Sequence, residues 1–222
     1  MPYYGGKSGY GIYQTIINQI PPHEVYIEPF LGGGGIMKHK SAAKRNIGVD
    51  LDPCVIETWQ GHEDIELHHA DALIFLKEFK FRGSEFIYAD PPYMVETRTG
   101  KYRYQFEMTR KDHVRLLSLL KELPCKVMLS GYWSELYKRE LACFRAIEFQ
   151  AMTRAGKPKT EVLWMNYSEP TSLHDYQYLG SNFREREKIT RKKKRWIARL
   201  KQMPKLERQS ILGAIQDVNF EE

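Results

Sequence analysis

Apolar, β-branched and aromatic residues recur along the first two-thirds of the chain in short runs. They lie at Val25 to Ile27, Ile47 to Val49, Ile65 to Leu67, Phe86 to Ala89, Lys126 to Leu129, Ala146 to Phe149 and Val162 to Asn166. Runs of this length and make-up predict seven β-strands. Between them are stretches of helical length, roughly Gly35 to Lys44, Pro53 to Gly61, Ala72 to Phe79, Arg110 to Leu123 and Ser134 to Leu141. Strands separated by helices imply right-handed crossovers and a largely parallel sheet covered on both faces, an α/β fold. The last two strands are joined only by Thr153 to Lys159, with Gly156 and Pro158, so they should pair as a C-terminal antiparallel hairpin.

After Pro170 the pattern changes. Asn182 to Lys201 spaces Phe183, Ile189, Trp196, Ile197 and Leu200 among charges, which fits one long helix with a narrow apolar stripe. Pro204 ends it, and Lys205 to Gln216 carries Leu206, Ile211, Leu212 and Ile215 on a shorter helix. The expected organisation is a domain over residues 1–170 and a basic helical extension over 171–222.

The 222 residues and 42% hydrophobic content suffice for a buried core. A mean hydropathy of -0.55, with no apolar run near the roughly 20 residues of a bilayer-spanning helix, excludes a membrane-spanning helix. The first residues hold no apolar h-region, so the chain reads as cytoplasmic. Cys54, Cys125 and Cys143 are an odd number without C-x-x-C spacing, so neither a disulfide framework nor a zinc cluster is suggested. Net charge is +6, but ten Lys or Arg against two Glu between Asn182 and Lys201 give that stretch +8 and leave -2 elsewhere. A cationic segment attracts polyanions by counterion release, so nucleic acid is the first partner to consider, with Lys192, Lys193 and Lys194 as phosphate contacts. The alternative is a solvated charged face.

Candidate chemistry begins at Glu28-Pro29-Phe30-Leu31-Gly32-Gly33-Gly34-Gly35, a strand running into four glycines and then a helix. Glycine permits tight turns and close approach of a ligand, so this is either a nucleotide-type cofactor loop or a flexible turn. Asp50 ends the next strand about twenty residues on, where a carboxylate accepts from both hydroxyls of a cofactor ribose; a helix cap is the other reading, for which Asp52 is better placed. Asp71 follows the third strand, within reach of a cofactor adenine amine or as a cap for the next helix. His68 and His69 have no third ligand at a matching spacing, so no metal is expected.

The fourth strand ends in Asp90-Pro91-Pro92-Tyr93. Two prolines fix an extended turn and remove two N–H donors, leaving a cluster of acceptors. An exocyclic amine on a heteroaromatic ring is a poor nucleophile, because its lone pair is delocalised. If Asp90 and the Pro91 carbonyl each accept one N–H, the nitrogen can pyramidalise as it attacks, and its developing charge is stabilised. Tyr93 offers a face on which a planar base can stack.

Together these residues resemble the Dam-like N6-adenine-specific DNA methyltransferases, especially phage- and prophage-borne members. The likeness rests on Glu28-Pro29-Phe30 with Gly32 and Gly34, on Asp50 and Asp71, on Asp90 to Tyr93, and on the N-terminal Tyr4-Gly5-Gly6-Lys7. It continues through Lys126 to Tyr132, Thr160 to Tyr167 and Leu173 to Tyr176, and so covers about residues 2 to 200. It implies a class I S-adenosylmethionine-dependent methyltransferase fold, Rossmann-like, with a seven-stranded sheet. It further implies S-adenosylmethionine as cofactor, held by Tyr4, Lys7, Glu28, Phe30, Gly32, Gly34, Asp50 and Asp71, and methylation of adenine N6 in DNA through Asp90, Pro91, Pro92 and Tyr93. The adenine would be flipped out or taken from a single strand. One departure stands out: only 40 positions separate Asp50 from Asp90, leaving no room for the family's usual target-recognition insertion. Recognition would fall to Met94 to Met108, to Thr153 to Lys159 or to the basic tail. The first of these interleaves Arg98, Lys101, Tyr102, Arg103 and Tyr104, cations with aromatics, as suits splayed bases, unless it is an ordinary polar loop. The alternatives are the same chemistry on RNA, or a non-catalytic nucleic-acid-binding module on the same fold.

Overall fold

The computed structural model describes residues 6–9, 11–98, 105–152 and 158–218. They form two compact units, residues 1–178 and 179–222.

The first unit is an α/β sheet of seven strands: β1 (Val25–Glu28), β2 (Arg45–Asp50), β3 (Glu66–His69), β4 (Glu85–Ala89), β5 (Lys126–Gly131), β6 (Arg145–Met152) and β7 (Pro158–Met165). Their order is β3-β2-β1-β4-β5-β7-β6. The first five run parallel, with Glu28 opposite Gly48, Asp50 opposite His69 and Ala89 opposite Leu129. β7 enters antiparallel between β5 and β6, and pairs with β6 as the expected hairpin. A seven-stranded, largely parallel α/β sheet closed by a C-terminal antiparallel hairpin is what the sequence led one to expect.

Side chains alternate across the sheet. Ile27, Ile47, Ile87, Val127 and Leu129 enter one core cluster, together with Leu116, Leu117 and Leu120 of α5 (Arg110–Glu122). Tyr26, Phe86, Tyr88 and Met128 enter the other, against α1 (Ile12–Ile17) and α2 (Gly35–His39). α3 (Pro53–Thr58), α4 (Ala72–Glu78) and α6 (Glu135–Glu140) complete the crossovers. The helix α1 lies outside the predicted elements, although Ile12, Ile16, Ile17 and Ile20 at near-helical spacing mark its buried face.

Two boundaries differ from expectation. α2 stops at His39, not Lys44, because Lys40 turns extended (φ -76°, ψ 155°) and its ammonium binds Ser41 O and Asn46 Oδ1. Asp175 Oδ2 accepts from Ser41 N, and His174 N donates to Ile20 O. These bonds tie 171–178 to the first unit, so the domain boundary falls after 178 and not after 170. In the second unit, α7 (Phe183–Gln202) and α8 (Lys205–Asp217) match the two predicted helices. Among the described residues, no helix is long and apolar enough to cross a membrane.

Candidate functional site

Parallel strands in the order β3-β2-β1-β4 deliver four carboxylates to one edge of the sheet. Glu28 and Asp50 end their strands, Asp71 precedes α4 and Asp90 follows β4. A cavity of about 620 Å3 opens there, lined by Lys7, Glu28, Phe30, Gly32 to Gly35, Asp50, Asp71, Asp90 and Pro92. Among the described residues, nine of the twelve site residues expected in the first unit therefore meet in one place, the carboxyl edge where α/β sheets bind ligands; Pro91, Tyr93 and Arg98 do not line it. Tyr4, Lys101, Tyr102 and Arg103 lie outside the described residues.

The glycine loop is shaped by what crosses it. Trp59, 1% exposed, donates from Nε1 to Gly32 O at 3.0 Å and lies directly against Gly34. On the other side the backbone of Lys7 and Ser8 passes so close to Gly35 that a Cβ there would stand 2.8 Å from the Lys7 carbonyl carbon. Asp50 fastens the loop to β2: Oδ2 accepts from Gly32 N at 2.8 Å and Oδ1 from Asp52 N at 2.9 Å. Burial raises its carboxyl above the ordinary carboxylate value, and these backbone N–H groups oppose the rise. Asp52, not Asp50, caps α3, through Cys54 N. Asp71 does cap α4, through Leu73 N and Ile74 N, while also facing the cavity. Leu51, Ile74 and Phe106, all largely exposed, add apolar surface between the carboxylates.

Glu28 is 3% exposed and accepts from the Tyr26 hydroxyl at 2.7 Å. Burial pushes its carboxyl from 4.5 up to about 8, against the pull of Tyr26, Lys40 and the Met37 N–H. The folded protein therefore holds a proton that the unfolded chain has released. Glu28 lowers stability progressively as pH rises from about 4.5 to about 8. Glu28→Gln, which keeps the shape and the acceptor for Tyr26, should flatten that decline. Melting temperatures measured from pH 5 to 9 check it, and an unchanged slope would show that Glu28 does not titrate in this window.

Asp90 has a partner that the sequence did not reveal. Lys7 Nζ lies 2.9 Å from Oδ1 and 2.8 Å from Oδ2, and 3.5 Å from Glu161 of β7. Lys7, expected on the cofactor, is thus set on the acceptor carboxylate. Burial raises the Asp90 carboxyl, the Lys7 ammonium draws it down and the Glu161 carboxylate adds to the rise. Tyr93 is 8% exposed; its hydroxyl donates to Glu161 at 2.8 Å, the Lys7 ammonium sits 4.9 Å over its ring, and Tyr132 meets it edge-on. It does not line the cavity, and the Lys7 ammonium lies over the ring that the sequence offered as a stacking face.

Glu161 is the neighbour of Lys7 and Tyr93 that sequence reasoning missed. An acid just before the buried run Val162 to Met165 reads as a strand end, and nothing local connects it to Tyr93, 68 residues away. Arg98 also departs from expectation: its side chain is 6% exposed and clamped on Glu107, so it is not presented to a phosphate. His68 binds Glu66 and His69 binds Leu51 O. Among the described residues no group of three or more His, Cys, Asp or Glu is placed to hold a metal ion.

No family model and no curated protein matches the chain. Solved structures do. Precorrin-8w decarboxylase of Methanobacterium thermoautotrophicum is 13% identical, with 74% of this chain and 94% of that one covered and a TM-score of 0.48. A 23S rRNA methyltransferase is 14% identical over 75% and 70%, with a TM-score of 0.45. A dimethyladenosine transferase from Plasmodium falciparum is 16% identical over 71% and 60%, also at 0.45. At such identities the activity has to be argued from the residues themselves.

Proposed function

We propose that this protein transfers a methyl group from S-adenosylmethionine to N6 of adenine in DNA, in the manner of the Dam-like enzymes that its sequence resembles. The observation that carries the reading is the position of Asp90 in the wall of the cavity that the glycine loop and Asp50 shape, so that amine acceptor and cofactor cradle share one space. The cradle fits the cofactor on three counts. Gly34 and Gly35 leave no room for side chains, Asp50 presents a carboxylate beside them, and exposed Leu51 and Ile74 supply apolar surface for a flat ring. When bound, S-adenosylmethionine supplies a methyl group already activated as a sulfonium.

The chain's own residues then account for the rest. Asp90 and the Pro91 carbonyl accept the two N–H groups of the target amine and orient its lone pair. Lys7 now fills both oxygens of Asp90, so the amine displaces it, and Glu161 at 3.5 Å is the second carboxylate to which the ammonium turns. Until then the Lys7 ammonium opposes the rise that burial imposes on the Asp90 carboxyl. Glu161 also fixes the Tyr93 ring through its hydroxyl. The pathway to the cavity must admit a flipped or single-stranded base, at a cost of about a few kcal/mol for unstacking.

Transfer of radiolabelled methyl groups to duplex DNA, single-stranded DNA and RNA, side by side, tests the reading. Label on adenine N6 of DNA is expected. Label on RNA alone would replace the substrate, and cofactor binding without transfer to any of them would make the protein a binding module. Asp50→Ala should weaken binding of S-adenosylhomocysteine by about 1.5 to 3 kcal/mol, the worth of hydrogen bonds to a charged group. Calorimetric titration measures it; unchanged affinity would confine Asp50 to tethering Gly32.

A further inference from the structure

The second unit carries a surface that the methyl-transfer reading does not use. At 100° per residue, Arg184, Lys188, Arg191, Lys192, Arg195 and Arg199 of α7 fall within an arc of about 100°, a stripe of six cations about 22 Å long. All six are exposed. Arg191 donates to Glu187, the acid that borders the stripe. Ile189, Trp196, Ile197 and Leu200 occupy the opposite side. Of the three lysines singled out from sequence, Lys192 alone lies on the stripe. Lys193 falls among the apolar residues and Lys194 to one flank.

We propose that α7 docks in the major groove of duplex DNA through this stripe, positioning by phosphate contact and not by base readout. Three features favour that partner. The cations form one straight row on a rigid rod, which matches a rigid array of phosphates better than a coiling single strand. A helix about 10 to 12 Å across fits the B-form major groove, whereas the A-form groove of duplex RNA is too narrow to admit it. An anionic membrane fits poorly: Arg186 and Lys193 lie within the apolar arc, so sinking that face into lipid would bury two cations.

The test compares two triple variants of the full chain with identical charge change, R184Q/K188Q/R195Q on the stripe and K193Q/K194Q/K201Q off it. Binding to a labelled duplex of about 24 base pairs is followed by anisotropy against log salt, without methyl donor. Failure of the stripe is thereby distinguishable from failure of the methyl-transfer reading. The stripe variant should lose about 2 to 3 from the salt slope and bind about a hundredfold more weakly at 0.1 M salt, while the off-stripe variant loses less than about 1. R184K/R195K, which keeps charge and helix, should bind as the wild type does, separating lost contacts from lost structure. Equal losses from both triples would reduce the effect to net charge. No loss from the stripe triple, or tighter binding to duplex RNA than to duplex DNA, would overturn the assignment.

Discussion

Asp90→Ala is expected to slow methyl transfer by at least about a hundredfold while leaving affinity for S-adenosylhomocysteine within a few-fold. A polar group aimed at charge that develops only in the transition state contributes on that scale, about 10² to 10³ in turnover. The fold should tolerate the change, because removing Asp90 does not strand Lys7: Glu161 stays 3.5 Å from the ammonium. Asp90→Asn is the finer probe, since it keeps the shape and one acceptor but loses the charge that holds Lys7. Initial rates at saturating cofactor, with calorimetric titration of each variant, make the comparison. More than a tenth of wild-type activity in Asp90→Ala would remove Asp90 from the acceptor role.

Gly34→Ala should be the most damaging change in the loop. Gly34 sits at φ +54°, where an alanine is strained by about 1 to 2 kcal/mol. Its Cβ would also lie 2.0 Å from Trp59 Cζ2. Trp59 is buried and tied to Gly32 O, so it has little room to retreat, and overpacking of that kind costs about 1 to 3 kcal/mol more. The sum of about 2 to 5 kcal/mol corresponds to a melting point lower by about 5 to 15 °C. Gly61→Ala is the matched control, because its φ is +93° and nothing lies within 4 Å of the new methyl group. Equal losses from the two would mean that the loop moves aside and Trp59 does not brace it.

The seven strands and seven of the helices, α2 to α8, could be read from the sequence because each carries its own apolar period. What escaped was set by partners distant along the chain. Ser41 to Lys44 has the composition of a helix, yet Asp175 and His174 hold Ser41 outside it. Asp90 announced itself through the two prolines that follow it, whereas Glu161 matters only because β7 slots beside β5 and brings it to Lys7. Asp71 caps α4, as one of its two readings had it, and the same carboxylate faces the cavity. For Arg98 the local mixture of cations and aromatics was misleading, because Glu107 nine residues away claims the guanidinium.

The late antiparallel entry of β7 has a consequence for how the chain is made. β5 emerges during synthesis with Val127, Met128 and Leu129 destined for full burial, but the strand that covers its free edge comes after β6. Until then the nascent sheet ends in an open, apolar edge, the kind of template that recruits other chains. The pairing of β5 with β7 is also non-local, with all of β6 between them, and pairings of that kind form more slowly than local ones. Lys7, which precedes β1, waits for Glu161 of β7 before its second carboxylate exists. A chain that stops within β6 would carry every residue of the glycine loop and Asp90, and would aggregate before it could act.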